Sequence, residues 1–298
     1  MDSIQQLKTK QQKEEFLNSF DNFILDCDGV LWLGKEVIPG IPETIHYLRE
    51  LGKKLYFITN NSTKSREQYI KKFLNFGIEV KKEEILSSAY LSALYIKQNF
   101  NMEGNKKVFL IGMEGLKHEL SELNINYFCL DDNTEVSLDD SLLKLKPDDN
   151  ISVVLAGMDT NINYSKYAYA HQCIKHGIPF LMTNSDKTYP LKGTNFPGTG
   201  AILSPIVEST GQQPIIIGKP SLNGINILNQ QHQLNLNRSC MIGDRLDTDI
   251  LFGKNANMFT LLVLSGVTDI KVLEKKENNI YPDFMIEDLT KILHNNEK

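Results

Sequence analysis

Two aspartates one residue apart, Asp26 and Asp28, close an apolar run that starts at Phe23, and Gly29 follows them. A short apolar run ended by a turn residue reads as a fully buried strand. Carboxylates at the mouth of a sheet are costly to bury unless a cation neutralises them. The pair therefore points to a metal site, with a solvated Asp-Gly turn as the competing reading. Three later apolar runs also end in reactive groups: Leu55 to Ile58 in Thr59, Pro214 to Ile217 in Lys219 (after Gly218), and Ser239 to Ile242 in Asp244 (after Gly243). Carboxylates are hard oxygen ligands suited to Mg²⁺. A threonine hydroxyl donates to a phosphate oxygen, and a lysine ammonium is a compact charge for the same dianion. In open parallel sheets, sites form beyond the carboxyl ends of the strands, at a topological switch point. The set fits phosphoryl transfer, where catalysis is mostly positioning and charge neutralisation.

The elements that must hold these residues alternate between strand and helix. A polar helix is expected over 3–19. Pro42 suits the first turn of a helix carrying Ile45, Leu48 and Leu51, which Gly52 closes. Helices follow over about 65–75 and 89–98. The middle third repeats the alternation by itself, with strands over 107–111, 151–156 and 180–183 and helices over 116–123, 164–176 and 201–209. Between them lie an acidic loop over 129–150 and a loop over 184–197. The main sheet is expected to resume over 214–219, then 239–244 and 259–264, with a helix over 221–230. The fold class is α/β: a doubly wound parallel sheet, 1–102 and 212–298, carrying a second α/β domain inserted at 103–211.

A length of 298 residues and 41% apolar content support a sizeable core. The net charge of −5 offers no basic stripe for nucleic acid and disfavours anionic membranes. Cys27, Cys129, Cys173 and Cys240 form no CxxC pattern and read as reduced thiols of a cytoplasmic protein. Cys27 is read as strand packing, with a redox switch as the alternative. The start of the chain lacks a signal-peptide apolar core, so the Asn61-Ser62-Thr63 sequon carries little weight. Gly198-Thr199-Gly200 has Leu203 where a dinucleotide fingerprint needs its third glycine, and no P-loop surrounds Lys219. His171 and His176, near opposite faces of one helix, read as filler rather than ligands.

Four segments carry a resemblance that spans nearly the whole chain. Asp26-Cys27-Asp28-Gly29-Val30, Thr59-Asn60-Asn61-Ser62, Gly218-Lys219-Pro220-Ser221 and Gly243-Asp244-Arg245-Leu246-Asp247-Thr248-Asp249 resemble the four motifs of the haloacid dehalogenase (HAD) superfamily. Thr-Asn-Asn and Gly-Asp-Arg-Leu-Asp-Thr-Asp resemble its 4-nitrophenylphosphatase and phosphoglycolate phosphatase branch, which includes pyridoxal phosphate phosphatase. The insert resembles that branch's large α/β (type C2) cap. The resemblance implies a phosphatase in which Asp26 is the nucleophile and Asp28 the acid and base. It implies Mg²⁺ held by Asp26, the Asp28 backbone carbonyl and Asp244, with Asp249 orienting metal waters or Lys219. Thr59, Asn60, Asn61 and Lys219 would hold the phosphoryl group.

Asn184 to Leu191 resembles the branch's specificity loop, where Asn184 and Asp186 also suit plain turns. Tyr189 stands in that loop where pyridoxal phosphate phosphatases resemble one another in carrying histidine, which argues against that substrate. Asp247 suits a helix N-terminus as well as any catalytic task, and Arg245 suits pairing with a nearby carboxylate. The expected partner is a small phosphorylated metabolite, with 2-phosphoglycolate foremost, and the branch implies a homodimer formed through the cap. A non-enzymatic binder and a phosphomutase are the alternative readings.

Overall fold

Phe23, Ile24 and Leu25 are fully buried, and their strand, Asn22–Asp26, lies inside a seven-stranded sheet. The computed structural model describes residues 4–293 apart from 135, 140, 141, 192, 193 and 276. Its contacts divide the chain into two units, one of Met1–Thr59, Tyr69–Leu86 and Lys219–Lys298, the other of Asn60–Gln68 and Ser87–Gly218.

The seven-stranded order is Gln5–Gln6, Phe284–Ile286, Phe259–Val263, Ser239–Gly243, Asn22–Asp26, Lys54–Thr59, Ile85–Ser87. The pairings from Gln5–Gln6 across to Lys54–Thr59 are parallel. From Asn22–Asp26 the chain builds outward to one edge and later returns to build toward the other. That strand is therefore the switch point. A parallel strand covered on both faces must be apolar at consecutive positions, which is why Phe-Ile-Leu is a run. Phe16, Leu17 and Phe20, Ile41, Ile45 and Leu48, and Phe73 pack in one core with Phe23 and Leu25.

The second unit has its own five-stranded parallel sheet, ordered Ile215–Ile216, Phe180–Met182, Ile151–Ala156, Lys107–Ile111, Tyr127–Phe128. Phe109, Val154 and Met182 pack against Tyr169 and Cys173 of helix Tyr164–Lys175 and Leu203 and Ile206 of helix Thr199–Thr210. Three of its segment ends, at Asn60, Ser87 and Gly218, meet one place. The Asn60 carbonyl accepts from Asn184 Nδ2 at 2.8 Å and from Ser88 Oγ at 2.6 Å, while Gly218 N donates to the Thr183 carbonyl at 2.8 Å. A Cβ on Gly218 would stand 2.5 Å from Asn60 Oδ1.

Several expectations change. Residues 4–9 are not helical: Thr9 caps a helix that starts at Lys10, with Gln12 completing a capping box, and Gln5–Gln6 joins the sheet edge. The run 214–219 does not resume the main sheet, because Ile215–Ile216 pairs with Phe180–Met182 at the edge of the second sheet. The second unit takes in Asn60–Gln68 and 87–102 as well as 212–218, beyond the 103–211 expected. The loop 184–197 contains a hairpin, Thr188–Leu191 with Thr194–Pro197. Strands Ile85–Ser87 and Phe284–Ile286 were not expected. Among the described residues no helix is long and apolar enough to cross a membrane.

A buried ion pair anchors the first segment of the second unit. Glu119, fully buried, accepts from Arg66 N at 2.6 Å and Arg66 Nε at 3.0 Å, and the guanidinium lies 3.4 Å from the Tyr90 ring centroid. Removing Glu119 takes away the partner of Arg66 N and Nε but leaves the guanidinium its second ion pair, with Glu122 Oε2 at 3.1 Å. Glu119→Ala is therefore expected to lower the stability of this unit by about 2–3 kcal/mol in urea unfolding, less than for a buried charge left without any partner, whereas a loss near zero would show the pair to be dispensable.

Candidate active site

Asp26 is the last residue of the switch-point strand, Thr59 ends the neighbouring strand on one side, and Asp244 follows the neighbouring strand on the other. The sheet itself thus brings three of the expected residues to one edge. Lys219 arrives differently, from the connection between Ile215–Ile216 and helix Asn223–His232. Its Nζ lies 2.5 Å from Asp26 Oδ1 and 2.7 Å from Asp249 Oδ1. All four of these charged groups are buried, counting Asp244 with them.

Asp26, Asp244 and Asp249 each offer an oxygen within 4.8 Å of the others. Asp249 Oδ2 accepts from Asp244 N and Arg245 N, both at 3.1 Å, so this carboxylate braces the turn that presents Asp244. Asp244 Oδ2 accepts from Val267 N at 2.7 Å, but its buried Oδ1 has no hydrogen-bond partner among the described residues. Gly29 and Gly266 keep space beside that carboxylate: a Cβ would fall 2.3 Å and 1.9 Å from Oδ2, respectively. Gly29 also sits at φ +90°, where a side chain is strained.

Electrostatics agree with this count of one ammonium against three carboxylates. Burial, and after it the Asp249 charge, push Asp244 up to about 7, against the Val267 hydrogen bond and Lys219. Burial also raises Asp26 well above the ordinary carboxylate range, opposed by Lys219 and reinforced by Asp249 and Asp244. Burial works against the Lys219 ammonium, but Asp249 and Asp26 outweigh it and hold its pKa high. An orphaned buried oxygen within an excess of anionic ligands fits a divalent cation.

Asp28 stands apart from this cluster. Its Oδ1 accepts from the Trp32 indole Nε1 at 2.9 Å. Thr59 is hydrogen-bonded by buried Tyr69. In the second unit, Asn60 Nδ2 donates to Asp186 Oδ1 at 3.1 Å, and Asn61 Oδ1 accepts from Thr63 N and Oγ1 at 2.9 and 2.7 Å. Asn184 reaches the Asn60 carbonyl, and Tyr189 lies exposed on the hairpin. Arg245 pairs with exposed Asp247 at 2.9 Å. Cys27 is fully buried and its thiol is pushed well up, first by burial and then by Asp26 and Asp28, which opposes a thiolate. His171 and His176 contact Ser209 Oγ and the Gln172 carbonyl, respectively. Trp32 and Tyr69 carried no sequence signal of their own. Only the habit of buried indole and phenol groups of seeking polar partners could have marked them.

Residues 23–126 match the family model for haloacid dehalogenase-like hydrolases, and 216–292 match a HAD-hydrolase-like model. Over 293 residues the chain is 41% identical to a 4-nitrophenylphosphatase of Schizosaccharomyces pombe, covering 96% of this chain and 97% of that one. The chain belongs to the haloacid dehalogenase-like hydrolases. Within that family it is 42% identical over 279 residues to a chloroplastic phosphoglycolate phosphatase 1A of Arabidopsis thaliana, covering 92% of this chain and 76% of the relative. A crystal structure of a 4-nitrophenylphosphatase from Thermotoga maritima superimposes with a TM-score of 0.78 at 28% identity, covering 93% and 97% of the two chains.

The raised carboxylates make a prediction about ion-free protein. A folded-state pKa above the unfolded value of about 3.9 means that the folded form takes up protons here as pH falls. The stability that protonation confers is complete below the unfolded value and is lost as pH rises through about 7. A divalent cation competes with those protons. Its stabilising shift in melting temperature is expected to be large at about pH 8 and to shrink toward about pH 6. Melts with ion and with chelator test this, and a shift independent of pH would contradict it.

Proposed function

We propose that this HAD-family phosphatase hydrolyses phosphate monoesters of small metabolites with Mg²⁺, with 2-phosphoglycolate as its foremost substrate and 4-nitrophenyl phosphate as an artificial one. The observation that carries the reading is the buried Lys219 bound to Asp26 beside two further buried carboxylates. A lysine so placed neutralises a phosphoryl dianion and a carboxylate together. A phosphoglycolate phosphatase and a 4-nitrophenylphosphatase among the relatives support the substrate class. Pyridoxal phosphate and sugar phosphates are the alternative substrates. Tyr189 weighs against the first of these, and the hairpin carrying it is the element to vary for specificity.

In the proposed reaction a carboxylate oxygen of Asp26 bonds to phosphorus as the ester P–O bond breaks. The electron pair leaves on the alkoxide, which takes the proton of Asp28. Asp28, now a carboxylate, removes a proton from water. The water oxygen bonds to phosphorus, the Asp26 acyl phosphate bond breaks, and inorganic phosphate departs. Lys219 and the Thr59 hydroxyl hold the phosphoryl oxygens, continued by Asn60 and Asn61. Asp249 fixes Lys219 and the turn that presents Asp244. Asp26, Asp244 and the Asp28 carbonyl would hold the cation, which when bound neutralises charge between nucleophile and phosphoryl group.

Asp26→Asn is expected to lower phosphate release by roughly a thousandfold or more, on the scale of losing a nucleophile, while the melting temperature holds or rises. Substantial turnover by folded Asp26→Asn protein would remove Asp26 from the reaction. A panel of phosphate monoesters with and without Mg²⁺ ranks the substrates.

A further inference from the structure

The chain that follows the switch-point strand folds straight back on itself. Leu31 N and Trp32 N both donate to the Cys27 carbonyl, at 2.9 and 3.3 Å, and Gly29 N donates to the Trp32 carbonyl at 2.8 Å. This tight loop sets the indole of Trp32 beside Asp28, Nε1 to Oδ1, at 2.9 Å.

The ring has little freedom. Trp32 is fully buried, the Phe73 ring meets it edge-on with centroids 5.0 Å apart, and Phe76 lies at 5.6 Å. Lys72 Nζ stands 3.8 Å from the indole centroid. An indole offers one donor and no acceptor, so the N–H can only hold an acceptor oxygen. A cation over the face draws on the ring's electron density and thereby makes the N–H a stronger donor. A packing tryptophan satisfies its N–H on any nearby carbonyl. Here the partner is Asp28, a carboxylate of the same motif as Asp26 but outside the buried cluster of Asp26, Asp244 and Asp249.

We propose that Trp32, packed by Phe73 and polarised by Lys72, is a positioning residue for proton transfer by Asp28. It occupies Oδ1 and fixes the carboxyl plane, which leaves Oδ2 as the oxygen that delivers the proton to the leaving group and later receives one from water. The proposal rests on Asp28 being the proton carrier.

Leaving-group chemistry supplies a readout that packing alone does not move. An alkoxide departs only with a proton, whereas 4-nitrophenolate leaves well without one. The experiment compares kcat/KM for 4-nitrophenyl phosphate and for the better used of 2-phosphoglycolate and glycerol 3-phosphate. One misplaced proton transfer, on the scale of one hydrogen bond, is expected to make Trp32→Phe roughly tenfold slower on the alkyl ester. The change on the nitrophenyl ester should be no more than about twofold. Asp28→Asn should show the same bias more strongly, and Trp32→Phe in that background should add no further loss. Equal losses of Trp32→Phe on both esters, or a full loss persisting beside Asp28→Asn, would overturn the role of Trp32. If Asp28→Asn itself shows no ester bias, the proton-carrier reading fails first and the proposal fails with it. Should Trp32→Phe fold poorly, benzothienylalanine at position 32 keeps the ring's shape and replaces only the N–H with sulfur, and the same two outcomes decide.

Discussion

Three buried carboxylates around one buried ammonium are the constraint on which the rest of this protein depends. Asp26, Asp244 and Asp249 are not balanced by Lys219 alone, and the imbalance is visible in the raised carboxyl groups and in an Asp244 oxygen without a hydrogen-bond partner among the described residues. Such an arrangement is unfavourable as architecture and useful as chemistry, because a divalent cation finds a prepared place in it. The turn behind it is built to hold the arrangement in place. Asp249 bonds two successive backbone amides, and glycines at 29 and 266 keep the space beside Asp244 open.

The sheet supplies the convergence. Asp26 ends the strand where the order reverses, and its two neighbours end in Thr59 and lead into Asp244, so parallel pairing alone sets three reactive groups at one edge. Lys219 depends on a loop instead. Its buried ion pairs with Asp26 and Asp249 then do the work that strand pairing does for the others.

Legibility followed the same division. Asp26, Thr59 and Asp244 could be read from the sequence because an apolar run followed by a polar residue marks a strand end, and α/β alternation marks a parallel sheet. The membership of Ile215–Ile216 could not be read, since three isoleucines pair equally well with any free edge and only the fold decides which edge is near. The hairpin at 188–197 was hidden by its polar, turn-rich composition, and Gln5–Gln6 by a helix-like charge pattern. Arg66 with Glu119, and Trp32 with Asp28, are side-chain meetings. The first spans 53 positions and the second a four-residue loop, and neither leaves a periodic trace.

The clasp formed by Thr183 and Asn184 has a consequence for how such a chain can vary. Because the outgoing strand of polypeptide at Asn60 and the returning one at Gly218 are tied to adjacent residues, the stretch between them, which returns to the first unit over Tyr69–Leu86, begins and ends at a common base. Material added or removed farther out along that stretch alters the size of a closed loop, at an entropic cost that grows only slowly with length. Threonine 59 and lysine 219, each one peptide bond from the base, are spared. Length can in this way change within 87–218 while the peptide bonds that lead to those two residues keep their place.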